Sequence, residues 1–193
     1  MTLTVFLSAS IPLLERNKDF WKTADNLAIR DAVKALVSEI IYHKGRLVFG
    51  GHPAITPLVI HMFKEVGLSP RNHVTLYQSK FFRKDFPSEN EEFPNIILTD
   101  DLGSREQSLG EMRRRMLTDI DFSCAVFVGG MEGIFEEYEF LKEQDPNLAK
   151  YPIASTGAAA EIAYTRYGHD MKDLVQELTY STLFRRVLAR HIE

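Results

Sequence analysis

The stretch that decides the fold is Cys124-Ala-Val-Phe-Val-Gly129-Gly130-Met-Glu-Gly133-Ile-Phe-Glu136-Glu137. Its first five residues are apolar without alternation, as in a strand covered on both faces of a sheet. The diglycine then stops the strand. From Gly133 the apolar residues return at helical spacing, so the segment reads as strand, tight turn and helix.

The same pattern recurs outward in both directions. Short runs rich in β-branched residues lie at Leu3–Ala9, Arg46–Gly50, Val74–Ser79, Ile96–Thr99, Cys124–Val128 and Ile153–Ser155. Amphipathic stretches at Ala24–His43, Pro57–Val66, Arg105–Leu117 and Gly133–Lys142 separate them. Alternating strand and helix predicts an α/β fold of Rossmann-like, doubly wound type: a mostly parallel sheet flanked by helices, in a single domain spanning 1–193. Thr56-Pro57 reads as an N-cap with proline at the first helical position, and Gly45 and Gly67 as C-terminal glycines. Lys80–Pro94 has no clear period, contains Pro87 and carries Phe81, Phe82, Phe86 and Phe93, so it is expected to be a long loop acting as a lid. Met171–Glu193 reads as one or two closing helices.

Composition narrows the function classes. With 23 Lys plus Arg against 27 Asp plus Glu among 193 residues, the net charge of −4 argues against stable nucleic-acid binding or a membrane-surface role. At 45% hydrophobic and 26% charged the chain can build a core. No apolar run approaches a bilayer span, and Met1-Thr-Leu-Thr-Val-Phe-Leu lacks a basic leader. A soluble cytoplasmic protein is therefore expected. The single Cys124 excludes an intrachain disulfide and lies in the most apolar strand, where an inert thiol is expected. The six histidines show no metal-ligand spacing, so no metal site is expected.

In a doubly wound sheet, ligands bind beyond the carboxyl ends of the strands. The residues found there are Ser8, Ala9 and Ser10, then Gly50-Gly51-His52-Pro53, then Asp100 and Asp101, then Gly129-Gly130-Met131-Glu132-Gly133, and finally Ser155-Thr156-Gly157. Two diglycines that each open a helix suit a phosphate: glycine admits a close ligand, and the helix end offers free N–H groups. Neither fits the dinucleotide fingerprint or the P-loop, and both also serve as tight packing turns. Glu136 and Glu137 fall on the first turn after Gly133. Arg113, Arg114 and Arg115 lie on the helix entering the same strand. A carboxylate and a guanidinium flanking a glycine loop suit a sugar phosphate, with Arg gripping the phosphate and Glu stabilising an oxocarbenium-like centre or activating water. Dipole complementation by the Glu pair and a solvated arginine face explain the same residues without chemistry.

A resemblance adds to this. Met112-Arg113-Arg114-Arg115, followed by Gly129-Gly130-Met-Glu-Gly133-Ile-Phe-Glu136-Glu137, resembles the Arg-Lys…Pro-Gly-Gly-x-Gly-Thr-x-x-Glu signature of the Lonely-Guy phosphoribohydrolases. Arg46-Leu-Val-Phe-Gly50-Gly51 is similar to that family's earlier glycine segment, and Val5-Phe-Leu-Ser8-Ala-Ser10 to its opening strand and serine turn. The wider group is the SLOG superfamily of Rossmann-like nucleotide binders. It includes domains of bacterial nucleotide-signalling and antiphage systems, which Gly50-Gly-His-Pro-Ala-Ile-Thr-Pro resembles more than it does the enzymes.

The resemblance implies hydrolysis of the N-glycosidic bond of a nucleoside 5′-monophosphate. Arg113 and Glu137 then take the catalytic positions with Glu136 beside them. Gly129, Gly130 and Gly133 take the phosphate loop, supported by Gly50, Gly51, Ser8, Ser10 and Arg114. It further implies no metal or redox cofactor, a small-molecule nucleotide as partner and a homodimer or higher homo-oligomer. Three departures bear on catalysis: Val128 replaces the proline, Ile134 replaces the threonine, and Met131-Glu132 puts one extra residue between the glycines. A carboxylate pointing into a phosphate loop repels a dianion by roughly 1 kcal/mol or more. The alternatives are a non-catalytic sensor of a nucleotide or NAD-derived signal, a deoxyribosyltransferase-like enzyme (from Asp119-Ile-Asp121 before the strand), and an interaction protein whose glycines only turn the chain.

Overall fold

The computed structural model describes residues 2–192. In chain order the regular elements are β1 (Thr4–Ser10), α1 (Lys18–Thr23), α2 (Asn26–Tyr42), β2 (Arg46–Gly50), α3 (Thr56–Glu65), β3 (Val74–Ser79), β4 (Ile96–Thr99), α4 (Arg105–Thr118), β5 (Cys124–Gly129), α5 (Gly133–Gln144), β6 (Ala149–Ile153), α6 (Ala158–Arg166), α7 (Asp173–Gln176) and α8 (Tyr180–Leu188). All six strands are parallel, in the order β4-β3-β2-β1-β5-β6. This is the Rossmann-like α/β sheet that the alternation predicts.

Side-chain alternation divides the core between the two faces of the sheet. Val5, Leu7, Leu47, Phe49, Val126 and Val128 face Ile29, Val33, Leu36 and Ile40 of α2, Val59 and Phe63 of α3, and Leu183, Phe184 and Val187 of α8. Phe6, Val48, Ala125 and Phe127 face Met112 and Met116 of α4, Tyr138 and Leu141 of α5, and the alanines of α6. Both faces are dry, so the central strands can be apolar throughout. Each fully buried large side chain contributes about 2–3 kcal/mol of transfer free energy.

Caps fix where the helices begin. Asp25 accepts from the amides of Leu27 and Ala28 to start α2, and Ser104 accepts from Gln107 to start α4. Ile55, not Thr56, is the N-cap of α3. Thr56 is its first residue, and its hydroxyl accepts the His52 amide. At the end of α2 the left-handed residue is Lys44, at φ 51°, rather than Gly45. Gly45 is needed because a Cβ would lie 2.9 Å from the Leu3 carbonyl oxygen.

The last strand differs from its expected place. Ala149–Ile153 forms β6, not Ile153–Ser155. Lys150 and Pro152 hide this strand in the sequence. An edge position tolerates Pro152, and the buried Lys150 ammonium donates to the carbonyls of Asp145 and Leu148. Helices α1 and α6 also go beyond the expected set. The 80–94 segment is not a bare loop but holds two short 3-10 helices, Lys80–Asp85 and Ser88–Glu92.

Candidate functional site

The strand order reverses between β1 and β5, and there the connections leave the sheet in opposite directions. The gap at that point, beyond the carboxyl ends of the strands, opens into a cleft of about 970 Å³. Four stretches line it: Ser8–Ile11 at and after the end of β1, Gly50–Ala54 at and after the end of β2, Gln78 with Phe82, Asp85, Phe86 and Pro87 at and after β3, and Met131–Ile134 after β5. Arg105, Glu106, Met112 and Arg113 of α4 and Glu136 and Glu137 of α5 complete the walls.

Glu137 is the buried acid of this cleft, 8% exposed. Arg113 Nε lies 3.3 Å from its Oε1, and the same guanidinium also pairs with Glu136. Burial raises the Glu137 carboxyl above its ordinary range, while the Arg113 charge and the Ser8 hydroxyl oppose that rise. Gly133 belongs to the same cluster, because a Cβ there would overlap Arg113 Nη2. Arg113, Glu136, Glu137, Ser8 and Gly133 therefore come together, and Arg113 is already neutralised by two carboxylates.

The glycines of the turn after β5 divide by role. Gly129 and Gly130 have φ of 57° and 81°, where L side chains are strained. The Gly129 amide donates to Thr156 Oγ1 at 2.9 Å and the Gly130 amide to the Ser10 carbonyl at 2.9 Å. Both residues sit behind the cleft wall with their donors engaged. The amides of Met131, Glu132 and Gly133, by contrast, find no acceptor among the described residues. They open α5 beside the cleft, where a helix N-terminus favours an anion. The Glu132 carboxylate accepts from Asn17 Nδ2 at 2.6 Å, which ties the extra acid of the turn to the start of α1.

The turn after β2 keeps its amides to itself. Gly51 donates to Tyr77, His52 to Thr56, and Ala54 to His52 Nδ1. Because Nδ1 accepts, His52 is neutral, and burial followed by the Arg16 charge lowers its pKa to about 4. Gly50 and Gly51 line the cleft, and a Cβ at Gly51 would displace the Gln78 side-chain amide.

Arg114 does not reach the cleft. It makes two bonds of 2.8 Å to Glu111 on the exposed side of α4. Asp100 pairs with Lys80, and Asp101 accepts the Gly103 amide, so both serve the turn into α4. Cys124 is buried and free, its thiol pushed up to about 12 by burial.

Sequence reasoning missed Gln78, Arg16, Arg30 and Arg105. The three arginines line the cleft and pair with no carboxylate among the described residues. Gln78 is 5% exposed, and the available signal was a carboxamide at the carboxyl end of a strand. Arg16 and Arg30 carried none, since each lies far in sequence from the glycine turns. A family model described as the SLOG cluster3 family matches residues 19–188. No curated protein matches the chain.

Proposed function

Because the chain belongs to the SLOG cluster3 family, we propose that its cleft at the β1–β5 reversal binds a nucleotide or an NAD-derived ligand and that Glu137 acts on the N-glycosidic bond. One observation carries this reading: a buried carboxylate, held by Arg113, adjoins unpaired backbone amides at a helix start. The amides of 131–133, with Arg30 and Arg16, suit the phosphate. Glu137 suits the sugar, where a carboxylate stabilises positive charge at the anomeric carbon or takes a proton from the attacking water. Water adds to that carbon as the carbon–nitrogen bond breaks, so a nucleoside monophosphate yields free base and ribose 5-phosphate. Arg113 keeps the carboxylates oriented rather than gripping the phosphate.

A sensor that holds the nucleotide intact is the second reading, favoured by Arg113 already being engaged by both Glu136 and Glu137. One experiment separates them. The protein is incubated with nucleoside monophosphates, NAD, ADP-ribose and cyclic nucleotides, and free base and melting temperature are followed together. Release of base supports the hydrolase, and a thermal shift without release supports the sensor. No response to any compound overturns both.

A further inference from the structure

The cleft is chemically lopsided. At the β1–β5 end lie Arg16, Arg30 and the open amides of residues 131–133, beside Arg113 paired with Glu136 and Glu137 and with the Glu132 carboxylate tied to Asn17. At the β3 end the charged groups are Asp85, Arg105 and Glu106, all exposed, which sum to −1. The open amides at the start of α5 and the two arginines without a carboxylate partner favour a phosphate at the first end.

What lines the β3 end is a carboxamide and two aromatic rings. Gln78 stands next to last in β3, 95% buried by its 5% exposure, yet its side chain makes no hydrogen bond among the described residues. Its amide borders the cleft and lies across Gly51, which has no Cβ to displace it. Phe82 and Phe86, from the segment that follows β3, line the same end. With no protein partner and with its polar atoms open to the cleft, this donor–acceptor pair is free to bond a molecule held there. An amide presents one acceptor beside two donors in a plane, the complement of a nucleobase edge, and aromatic rings suit the base face.

We propose that Gln78 reads the nucleobase: its carboxamide pairs with the base edge beside Phe82 and Phe86, which orients the ligand with its phosphate toward residues 131–133 and its sugar over Glu137. This rests on the nucleotide reading above and adds the base subsite to it. Gly51 is the positioning residue that lets the amide lie flat.

Calorimetric titration with AMP, GMP, CMP, UMP and ribose 5-phosphate tests it on the wild type, Gln78→Leu and Gln78→Glu. Wild type should bind at least one nucleotide more tightly than ribose 5-phosphate. Gln78→Leu should weaken that nucleotide about tenfold and leave ribose 5-phosphate within twofold. Gln78→Glu, which has nearly the same shape but lacks the donors, should change the order of preference among the bases. Equal weakening of nucleotide and ribose 5-phosphate by Gln78→Leu overturns the assignment, as does an unchanged base order in both variants. If wild type binds ribose 5-phosphate as tightly as every nucleotide, the base subsite fails while the phosphate end stands. If it binds none of the five, the base assignment fails together with the nucleoside monophosphate reading.

Discussion

At the scale of single residues, Glu137 couples function to stability. Its carboxyl is raised by burial, so the fold favours the protonated form. That contribution is complete below the ordinary carboxylate range and is lost as pH rises through the raised value. Glu137→Gln mimics the protonated state and leaves Glu136 as the partner of Arg113. Its melting temperature at pH 7.5 should equal or exceed that of wild type, with the difference closing toward pH 4. If the protein is a hydrolase, base release should fall by about 100-fold or more; release that survives the change sinks the catalytic assignment. His52 works in the opposite direction. With its pKa lowered from 6.5 to about 4, it supports the fold fully above pH 6.5 and loses that support as pH falls toward 4. The loss is at most about 3 kcal/mol. Denaturant titrations across this range should show a slope that His52→Gln flattens. Lys44, an exposed residue held at φ 51°, gives a simpler case: Lys44→Gly should raise stability by about 1 kcal/mol.

At the scale of elements, the joint between α1 and α6 is the least forgiving. Gly157 has φ 71°, and a Cβ there would overlap the Thr23 carbonyl. Both objections involve backbone, so Gly157→Ala should cost about 3 kcal/mol or more by chemical denaturation. The 80–94 segment supplies Phe82, Asp85, Phe86 and Pro87 to the cleft. Bound nucleotide should slow hydrogen exchange there; unchanged exchange under saturating ligand counts against a lid. The strands β2, β3 and β4 were legible to the residue because their apolar runs are bounded by polar or glycine residues. β6 was not, since a buried lysine satisfied by two carbonyls and an edge proline leave no local trace. The candidate site was legible where chemistry and sequence proximity coincide, as in Gly133, Glu136 and Glu137 with Arg113 one helix earlier. The division of labour among the glycines was not. Whether an amide faces a ligand or a Thr156 hydroxyl depends on a contact 27 residues away. Gln78 escaped because the residues at the end of β3 were not weighed among those at the carboxyl ends of the strands.

At the scale of the whole molecule, the chain is net negative at −4, yet arginines without carboxylate partners gather in one cleft. Ligand capture should therefore depend on ionic strength, with nucleotide affinity falling several-fold between 50 and 500 mM salt. Arg30→Ala should flatten that dependence. A dependence that Arg30→Ala leaves unchanged places the phosphate elsewhere. Among the described residues no helix is long and apolar enough to cross a membrane. The strand order also has a consequence during synthesis. β1 meets β2 within the first 50 residues, but its other edge pairs only with β5, which begins at residue 124. A nascent chain that has paired β1 with β2 thus presents the bare edge of Thr4–Ser10 until the ribosome has made some 70 more residues beyond β2. The middle of the finished sheet is, for that interval, an open seam that invites a neighbouring polypeptide. Slow translation between residues 50 and 124 is where this protein is most exposed to aggregation.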